Sequence, residues 1–81
     1  MSEEPISADF SLYVLNLVTT ALYHFGDLGD NKDIEAAKSV IDILIMLKEK
    51  TKGNLTPEEQ KTLDESICDL QMRYLQEIKY L

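Results

Sequence analysis

The stretch Lys52-Gly-Asn-Leu-Thr-Pro-Glu-Glu59 carries the strongest local signal in the sequence and decides its fold. Gly53 suits the left-handed position after the last turn of a helix, because glycine has no Cβ to make that conformation costly. Thr56 then opens a Thr-x-x-Glu capping box with Glu59, and Pro57 fits the first position of a new helix. One helix ends and the next begins within this stretch. So short a link predicts that the two helices are antiparallel neighbours.

Apolar residues recur with helical periodicity on both sides of this link. Residues 34–52 follow the N-cap candidate Asp33, and their apolar arc covers about half of the circumference, where a surface helix needs about 100°. Residues 57–79 carry two apolar stripes. Both patterns predict helices with more than one neighbour, and the wider arc predicts that residues 34–52 lie at the centre. The arc comprises Ile34, Ala36, Ala37, Val40, Ile41, Ile43, Leu44, Ile45 and Leu47, and the stripes comprise Leu63, Ile67, Leu70, Tyr74, Ile78 and Leu81, then Cys68, Met72 and Leu75.

A further amphipathic helix is predicted over residues 10–25, with Asp9 as its cap and Gly26 as its stop. Residues 1–8 are predicted to form a flexible arm. The expected fold is all-α: a single three-helix domain over residues 9–81 with a central antiparallel hairpin. The apolar side of the first helix comprises Phe10, Val14, Leu17, Val18, Ala21, Leu22 and Phe25, opposite Asn16, Thr19, Thr20 and Tyr23.

The length of 81 residues allows one domain with a small core, which contributes roughly 3–5 kcal/mol. Cys68 is the only cysteine and His24 the only histidine, so an internal disulfide is excluded and a four-ligand zinc site is disfavoured. No cofactor is indicated. The surplus of apolar helix surface predicts a homo-oligomeric helical bundle, most simply a dimer.

The formal net charge of −7 argues against nucleic acid as a partner and against anionic membrane surfaces. The most apolar segment, residues 10–25, is shorter than the roughly 20 residues of a membrane span. The first residues are acidic where a signal peptide is basic. These features predict a cytoplasmic protein that does not insert into membranes.

Several motifs together define a resemblance. The most specific is Met46-Leu-Lys-Glu-Lys-Thr-Lys-Gly-Asn-Leu-Thr-Pro-Glu-Glu59, and the others are Asp9-Phe-Ser-Leu-Tyr13, Thr20-Ala-Leu22, Glu35-Ala-Ala-Lys38, Ile41-Asp-Ile-Leu44 and Leu70-Gln-Met-Arg-Tyr74. With them the chain resembles, over nearly its whole length, a bacterial family known as domain of unknown function 1844. Members of that family usually carry Glu in place of Ile45, and their last helix ends soon after Arg73 and Tyr74. The resemblance implies a bacterial cytoplasmic helical protein and carries over no activity and no functional residue.

Few residues are candidates for catalysis or ligand binding, and a structural role explains each of them more simply. His24 falls at the edge of an apolar face, with no local partner for catalysis. The turn from Asp27 to Asp33 gathers oxygen ligands, but its spacing is not that of an EF-hand. Cys68 is expected to be a packed, unreactive thiol because its neighbours are acidic. Met46 projects from a polar face, where an exposed Met can mark a contact surface. The oxygen ligands are Asp27, Asp30, Asn31, Asp33 and Glu35.

Lysines cluster in the last turns of the second helix, at Lys48, Lys50 and Lys52. They suggest an anion site. However, the dipole at a helix C-terminus favours cations whether or not an anion binds there. The acidic start of the third helix lies beside them in sequence. We therefore expect local charge pairing.

Two functions remain open at this level. The first is an interaction or scaffold protein that works through apolar helical surfaces, as a homo-oligomer or with another protein. The second is an enzyme or enzyme subunit that binds a small ligand between helices, with His24 and Tyr13 or Tyr23 as polar groups. No residue is assigned a catalytic, cofactor-binding or metal-binding role.

Two adjacent residues test the helical phase of residues 34–52. Leu44 lies near the middle of the apolar arc, and Ile45 is rotated by about 100° to its polar border. Leu44→Glu should abolish cooperative folding, because an unpaired carboxylate in the core costs several kcal/mol. Ile45→Glu should leave a folded protein with a modest loss. Thermal unfolding followed by circular dichroism distinguishes the two, and equal damage would contradict the assigned phase.

Overall fold

Three helices make up the fold in the computed structural model, which describes residues 9–29 and 31–79. They are α1 (Phe10–His24), α2 (Ile34–Lys50) and α3 (Pro57–Lys79), and the described residues contain no strand. The predicted all-α, three-helix fold is confirmed. The predicted arm over residues 1–8 lies outside the described residues, as do Asp30 and Leu81. None of the three helices is long and apolar enough to cross a membrane.

The helices form an up-down-up bundle in which each helix packs on both others. Lys48 near the end of α2 pairs with Asp64 near the start of α3, as expected for antiparallel neighbours. Helix α2 has more than one neighbour, as its wide arc predicts, and α1 also packs directly on α3. In a bundle of three, every helix has two neighbours, so a wide apolar arc does not single out one of them.

Side-chain caps begin the first two helices where the sequence predicts them. The Asp9 carboxylate accepts hydrogen bonds from the amides of Ser11 and Leu12, at 3.0 and 3.3 Å. The Asp33 carboxylate accepts one from the amide of Ala36 at 3.0 Å. These bonds satisfy first-turn amides that have no partner within the helix.

The predicted capping box is present at the start of α3. The amide of Glu59 donates to the Thr56 hydroxyl at 3.1 Å, and the amide of Thr56 donates to the Glu59 carboxylate at 2.9 Å. Gly53 has a φ of +84°, the left-handed conformation that the sequence predicts. The capping box therefore acts as expected and fixes where α3 begins. Gly53 is left-handed as predicted, but it lies two residues beyond Thr51, the C-cap of α2.

Helix α2 ends at Lys50, two residues before the predicted end. The Thr51 hydroxyl donates to the carbonyl of Leu47 at 2.7 Å, and the amide of Asn54 donates to the carbonyl of Thr51 at 2.9 Å. This second bond spans three residues, as in a tight turn. The chain thus leaves the α-helix before it reaches Gly53.

The core lies where the main apolar stripes of the helices meet. Leu44 and Leu63 are fully buried, while Ile45 is half-buried and packs against the core from its edge. This placement agrees with the assigned phase of α2. Ser66 is buried as well, which the apolar pattern of α3 does not indicate. The buried apolar residues are Val14, Ala21, Phe25, Ala37, Val40, Ile41, Leu44, Leu63, Ile67 and Leu70.

The capping box allows a direct stability test. Thr56→Ala should lower the free energy of unfolding by about 1 kcal/mol, because the amide of Glu59 loses its side-chain acceptor. Thr56→Ser keeps the hydroxyl and is the matched control. Urea unfolding measures the stability of both variants. An unchanged midpoint for Thr56→Ala would show that water accepts the hydrogen bond of the Glu59 amide equally well.

Candidate functional site

A groove runs between α2 and α3. One part encloses about 420 Å³, and a second part of about 480 Å³ continues it toward the end of α2. Ile45 lines both parts, so the two form one continuous feature, which we call the α2–α3 groove. The first part is lined by Lys38, Ile41, Asp42, Ile45, Gln71, Tyr74 and Leu75, and the second by Ile45, Lys48, Glu49, Lys52 and Gln60.

An exposed apolar ridge lies beside the groove on α3. Leu75 is 61% exposed and Met72 is 57% exposed, and Cys68 is also exposed. These three residues, spaced by four and three positions, lie on one side of the helix, and we call them the α3 ridge. The prediction that Cys68 is packed is wrong. Helix α3 does contact two other helices, as its two stripes predict. The ridge points away from the core, since both neighbours of α3 already lie against its main stripe.

Two of the lysines at the groove, Lys38 and Lys48, pair with carboxylates. Lys38 and Asp42 are 3.3 Å apart on one turn of α2. Lys48 and Asp64 are 3.0 Å apart across the groove, and Gln60 donates a hydrogen bond to Asp64 at 3.1 Å. The bonds from Lys48 and Gln60 lower the pKa of Asp64. The predicted charge pairing between the end of α2 and the start of α3 is thus confirmed for Lys48.

The volume of the groove falls within the range of small-ligand pockets. Such pockets combine apolar walls with a few free polar groups that orient the ligand. Here the Lys38 ammonium and the Asp42 carboxylate pair with one another at the rim. The floor and wall are formed by Ile41, Ile45 and Leu75. This arrangement suits apolar side chains better than a polar metabolite.

A second cluster joins the α1–α2 connection to α3. Two nitrogens of the Arg73 guanidinium donate to the two carboxylate oxygens of Asp27, at 2.7 and 2.6 Å. The Nε of Arg73 donates to Glu77 at 2.8 Å, and Glu77 also pairs with Lys32. The guanidinium carbon lies 5.0 Å from the centre of the Phe25 ring, a cation–π contact.

These contacts change the acidity of the groups involved. The hydrogen bonds from Arg73 lower the pKa of Asp27, and those from Lys32 and Arg73 lower the pKa of Glu77. Bonding to both carboxylates raises the pKa of Arg73 further above its usual range. Asp27, considered above as an oxygen ligand for a metal, is therefore one side of a bidentate ion pair.

The sequence does not reveal this cluster, because Arg73 lies 46 positions from Asp27. The only local signal is Arg73 four residues before Glu77, a spacing that places two side chains on one helix face. No group of three or more His, Cys, Asp or Glu residues is placed to hold a metal ion within residues 9–29 and 31–79.

His24 lies at the end of α1, half-buried, as its position at the edge of the apolar face predicts. Its ring meets Tyr23 edge to face, with the ring centres 5.5 Å apart. Neither part of the α2–α3 groove is lined by His24, Tyr13 or Tyr23. Met46 is 44% exposed on the outer side of α2, as predicted.

The Arg73 cluster makes stability depend on pH. Asp27 and Glu77 have folded pKa values below their ordinary 3.8 and 4.5, so the stabilisation is complete at neutral pH and is lost as pH falls through the lowered values. Arg73→Gln should cost about 1 kcal/mol at pH 7, from a partly exposed ion pair and a cation–π contact. Melting curves from pH 7 to pH 3 measure the difference from wild type, which should shrink below about pH 4.

Two controls accompany this test. Lys61→Gln removes the same charge at an exposed position that makes no ion pair among the described residues, so it should leave the curves unchanged. Arg73→Lys keeps the charge but loses the bidentate geometry, and should be intermediate. A difference between wild type and Arg73→Gln that stays constant down to pH 3 would contradict the role of the two carboxylates.

Comparison with known proteins identifies a family. No curated protein and no solved structure matches the chain significantly. A family model described as "Domain of unknown function (DUF1844)" matches residues 7–76. The match includes all of α1 and α2 and ends three residues before the end of α3 at Lys79. It covers nearly the entire sequence, and the chain therefore belongs to the DUF1844 family.

Proposed function

We propose that this chain is a small cytoplasmic interaction or scaffold protein that self-associates, most simply as a two-fold dimer, through the α2–α3 groove and the α3 ridge. The observation that carries the proposal is the position of the ridge directly beside the groove. Leu75 belongs to both, so an apolar protrusion and an apolar recess adjoin each other on one face.

This arrangement suits two identical chains. Helices pack by placing the side-chain ridge of one into the groove formed by others. A two-fold axis beside Leu75 would place the α3 ridge of each chain in the groove of the other, which is the self-complementarity that an isologous dimer needs. A helix added to the groove would also cover apolar surface that α2 and α3 leave exposed, such as Leu75.

The energetics favour such an association. Burying an exposed Leu or Met side chain contributes about 1.5–3 kcal/mol, and each chain offers both Leu75 and Met72. A domain of this size has only roughly 3–5 kcal/mol from its own core, so the added burial is a large fraction of the total. The pairing of Lys38 with Asp42 and of Lys48 with Asp64 also reduces the net charge that the two acidic chains bring to the contact.

The residue at position 45, where the chain departs from the family pattern, also supports self-association through the groove. The family usually has Glu at the position of Ile45, and here Ile45 lines both parts of the groove. An acidic side chain at this point would place a charge at the centre of the apolar surface. Replacing it by Ile makes the groove of this chain better suited to an apolar partner surface than that of its relatives.

The alternative, a small ligand held near His24, has less support. The imidazole is half-buried against Tyr23, and the α2–α3 groove does not reach it. In the first part of the groove, Ile41, Ile45 and Leu75 form apolar walls, and the charges of Lys38 and Asp42 at the rim pair with each other. An interaction surface accounts for these features more directly than a binding site for a polar substrate.

The proposal predicts the mass in solution and its response to Ile45→Glu. Sedimentation equilibrium at micromolar concentration should give twice the 9.3 kDa of one chain. Ile45→Glu should keep its helicity and shift the mass toward monomer, because each groove then buries a carboxylate. Met46→Glu adds the same charge at the next residue, outside the groove, and should remain dimeric.

Two results would contradict the proposal. A single 9.3 kDa species over the whole concentration series would rule out self-association. A dimer with equal stability in Ile45→Glu and Met46→Glu would show that the contact lies elsewhere.

A further inference from the structure

Two methionines lie among the described residues, and their surroundings differ. Met72 is more than half exposed on the α3 ridge, with Cys68 one turn before it and Leu75 one turn after it. Met46 is also exposed, but it lies on the outer side of α2 and lines neither part of the groove. Both thioethers therefore meet solvent in the single chain, but only Met72 belongs to the surface through which the chain is proposed to self-associate.

The thioether of Met72 can change its polarity while the backbone stays the same. Hydrogen peroxide transfers one oxygen atom to the sulfur, which loses two electrons and becomes a sulfoxide, and the peroxide is reduced to water. The side chain keeps its length and gains a polar oxygen that accepts hydrogen bonds. Leu75, the next residue on the α3 ridge, has no comparable reaction. Met72 is therefore a point at which the polarity of the ridge can be altered reversibly.

We infer that oxidation of Met72 to its sulfoxide dissociates the proposed dimer, and that reduction of the sulfoxide restores it. This inference rests on the proposed function and names how the same contact is regulated. In the proposed dimer the α3 ridge of one chain meets the groove of the other, whose walls include Ile41 and Ile45. These side chains carry no hydrogen-bond donor, so a sulfoxide oxygen placed against them loses its water without replacement.

Access of peroxide to this sulfur and the proposed contact exclude one another. In the single chain Met72 is open to solvent, and in the dimer the contact covers it. Oxidation therefore proceeds through the monomer. Each oxidised chain is withdrawn from the dimer equilibrium, so further dimers dissociate by mass action. The same coupling protects Met72 at high protein concentration, because few chains are then monomeric.

The size of the effect follows from the cost of burying a polar group that has no hydrogen-bond partner. This cost corresponds to roughly tenfold in affinity for each such group. A two-fold dimer buries Met72 twice, once from each chain. Full oxidation should therefore raise the dissociation constant about a hundredfold. The single chain should stay helical, because most of the Met72 side chain is already in solvent.

The first measurement is the rate at which each methionine is oxidised. The full chain is treated with hydrogen peroxide at protein concentrations below and above the dimer dissociation constant, and peptide mass spectrometry quantifies the sulfoxide at Met46 and at Met72. The rate at Met72 should fall several-fold as the dimer forms, and the rate at Met46 should stay constant. A rate at Met72 that does not depend on protein concentration would overturn the inference.

The second measurement is the mass of the oxidised chain in sedimentation equilibrium. Dithiothreitol is added after the peroxide has been removed, because it reduces a disulfide or a sulfenic acid at Cys68 and leaves methionine sulfoxide in place. At a concentration where the untreated chain is dimeric, the oxidised chain should have the 9.3 kDa mass of a monomer and unchanged helicity by circular dichroism. Treatment with the two methionine sulfoxide reductases, one for each sulfoxide epimer, should restore the dimer.

Two matched variants assign the effect to one sulfur. Met46→Leu removes the thioether outside the contact and should respond to peroxide as the wild type does. Met72→Leu removes the reactive sulfur of the ridge, and its dissociation constant after treatment should equal its own value before treatment. Leu and Met have similar helix propensities, so both variants should fold. Loss of the dimer from treated Met72→Leu would place the responsible oxidation elsewhere and overturn the inference.

The outcomes distinguish this inference from the proposed dimer. A wild type that Ile45→Glu converts to monomer, but that stays dimeric after Met72 is oxidised, supports the proposed dimer and overturns the inference. A wild type that is monomeric before treatment overturns both. A dimer that oxidation of Met72 dissociates and Ile45→Glu does not supports the inference and shows that the α3 ridge meets a surface other than the groove.

Discussion

The short connection between α2 and α3 is the constraint on which the other features of the molecule depend. Lys50 ends one helix and Pro57 begins the next, and the chain between them turns through Gly53 and the capping box of Thr56 and Glu59. With so few residues available, the two helices must lie antiparallel and in contact. Their side-by-side packing creates the α2–α3 groove and places the α3 ridge along its edge.

The position of α1 depends on contacts between residues distant in the sequence. Phe25 is buried at the end of α1, and the guanidinium of Arg73 lies over its ring while binding Asp27 in the following turn. Lys32, at the end of the α1–α2 connection, joins the same cluster through its ion pair with Glu77. Exposed ion pairs of this kind contribute modestly to stability. Their joint effect is to tie the α1–α2 connection to the C-terminal half of α3.

The geometry of three helices also explains why so much apolar surface remains outside. Each helix contacts two neighbours, which cover one side and leave the opposite side to solvent. Leu75 on α3 and Leu12 on α1 are both more than half exposed for this reason. Within residues 9–29 and 31–79, no further layer covers them. The proposed self-association through the α2–α3 groove and the α3 ridge would bury Leu75.

The sequence by itself determined the three helices, their caps and most residues of the core, because these depend on periodicity and on hydrogen bonds between near neighbours. Asp9, Asp33 and Thr56 cap where their local motifs indicate, and Leu44 is buried as its place in the arc of α2 requires. Only the tertiary structure decided which apolar stripe stays in solvent, and so it corrected the packing expected for Cys68. It also decided that Asp27 binds Arg73, since the distance between residues 46 positions apart depends on how all three helices pack.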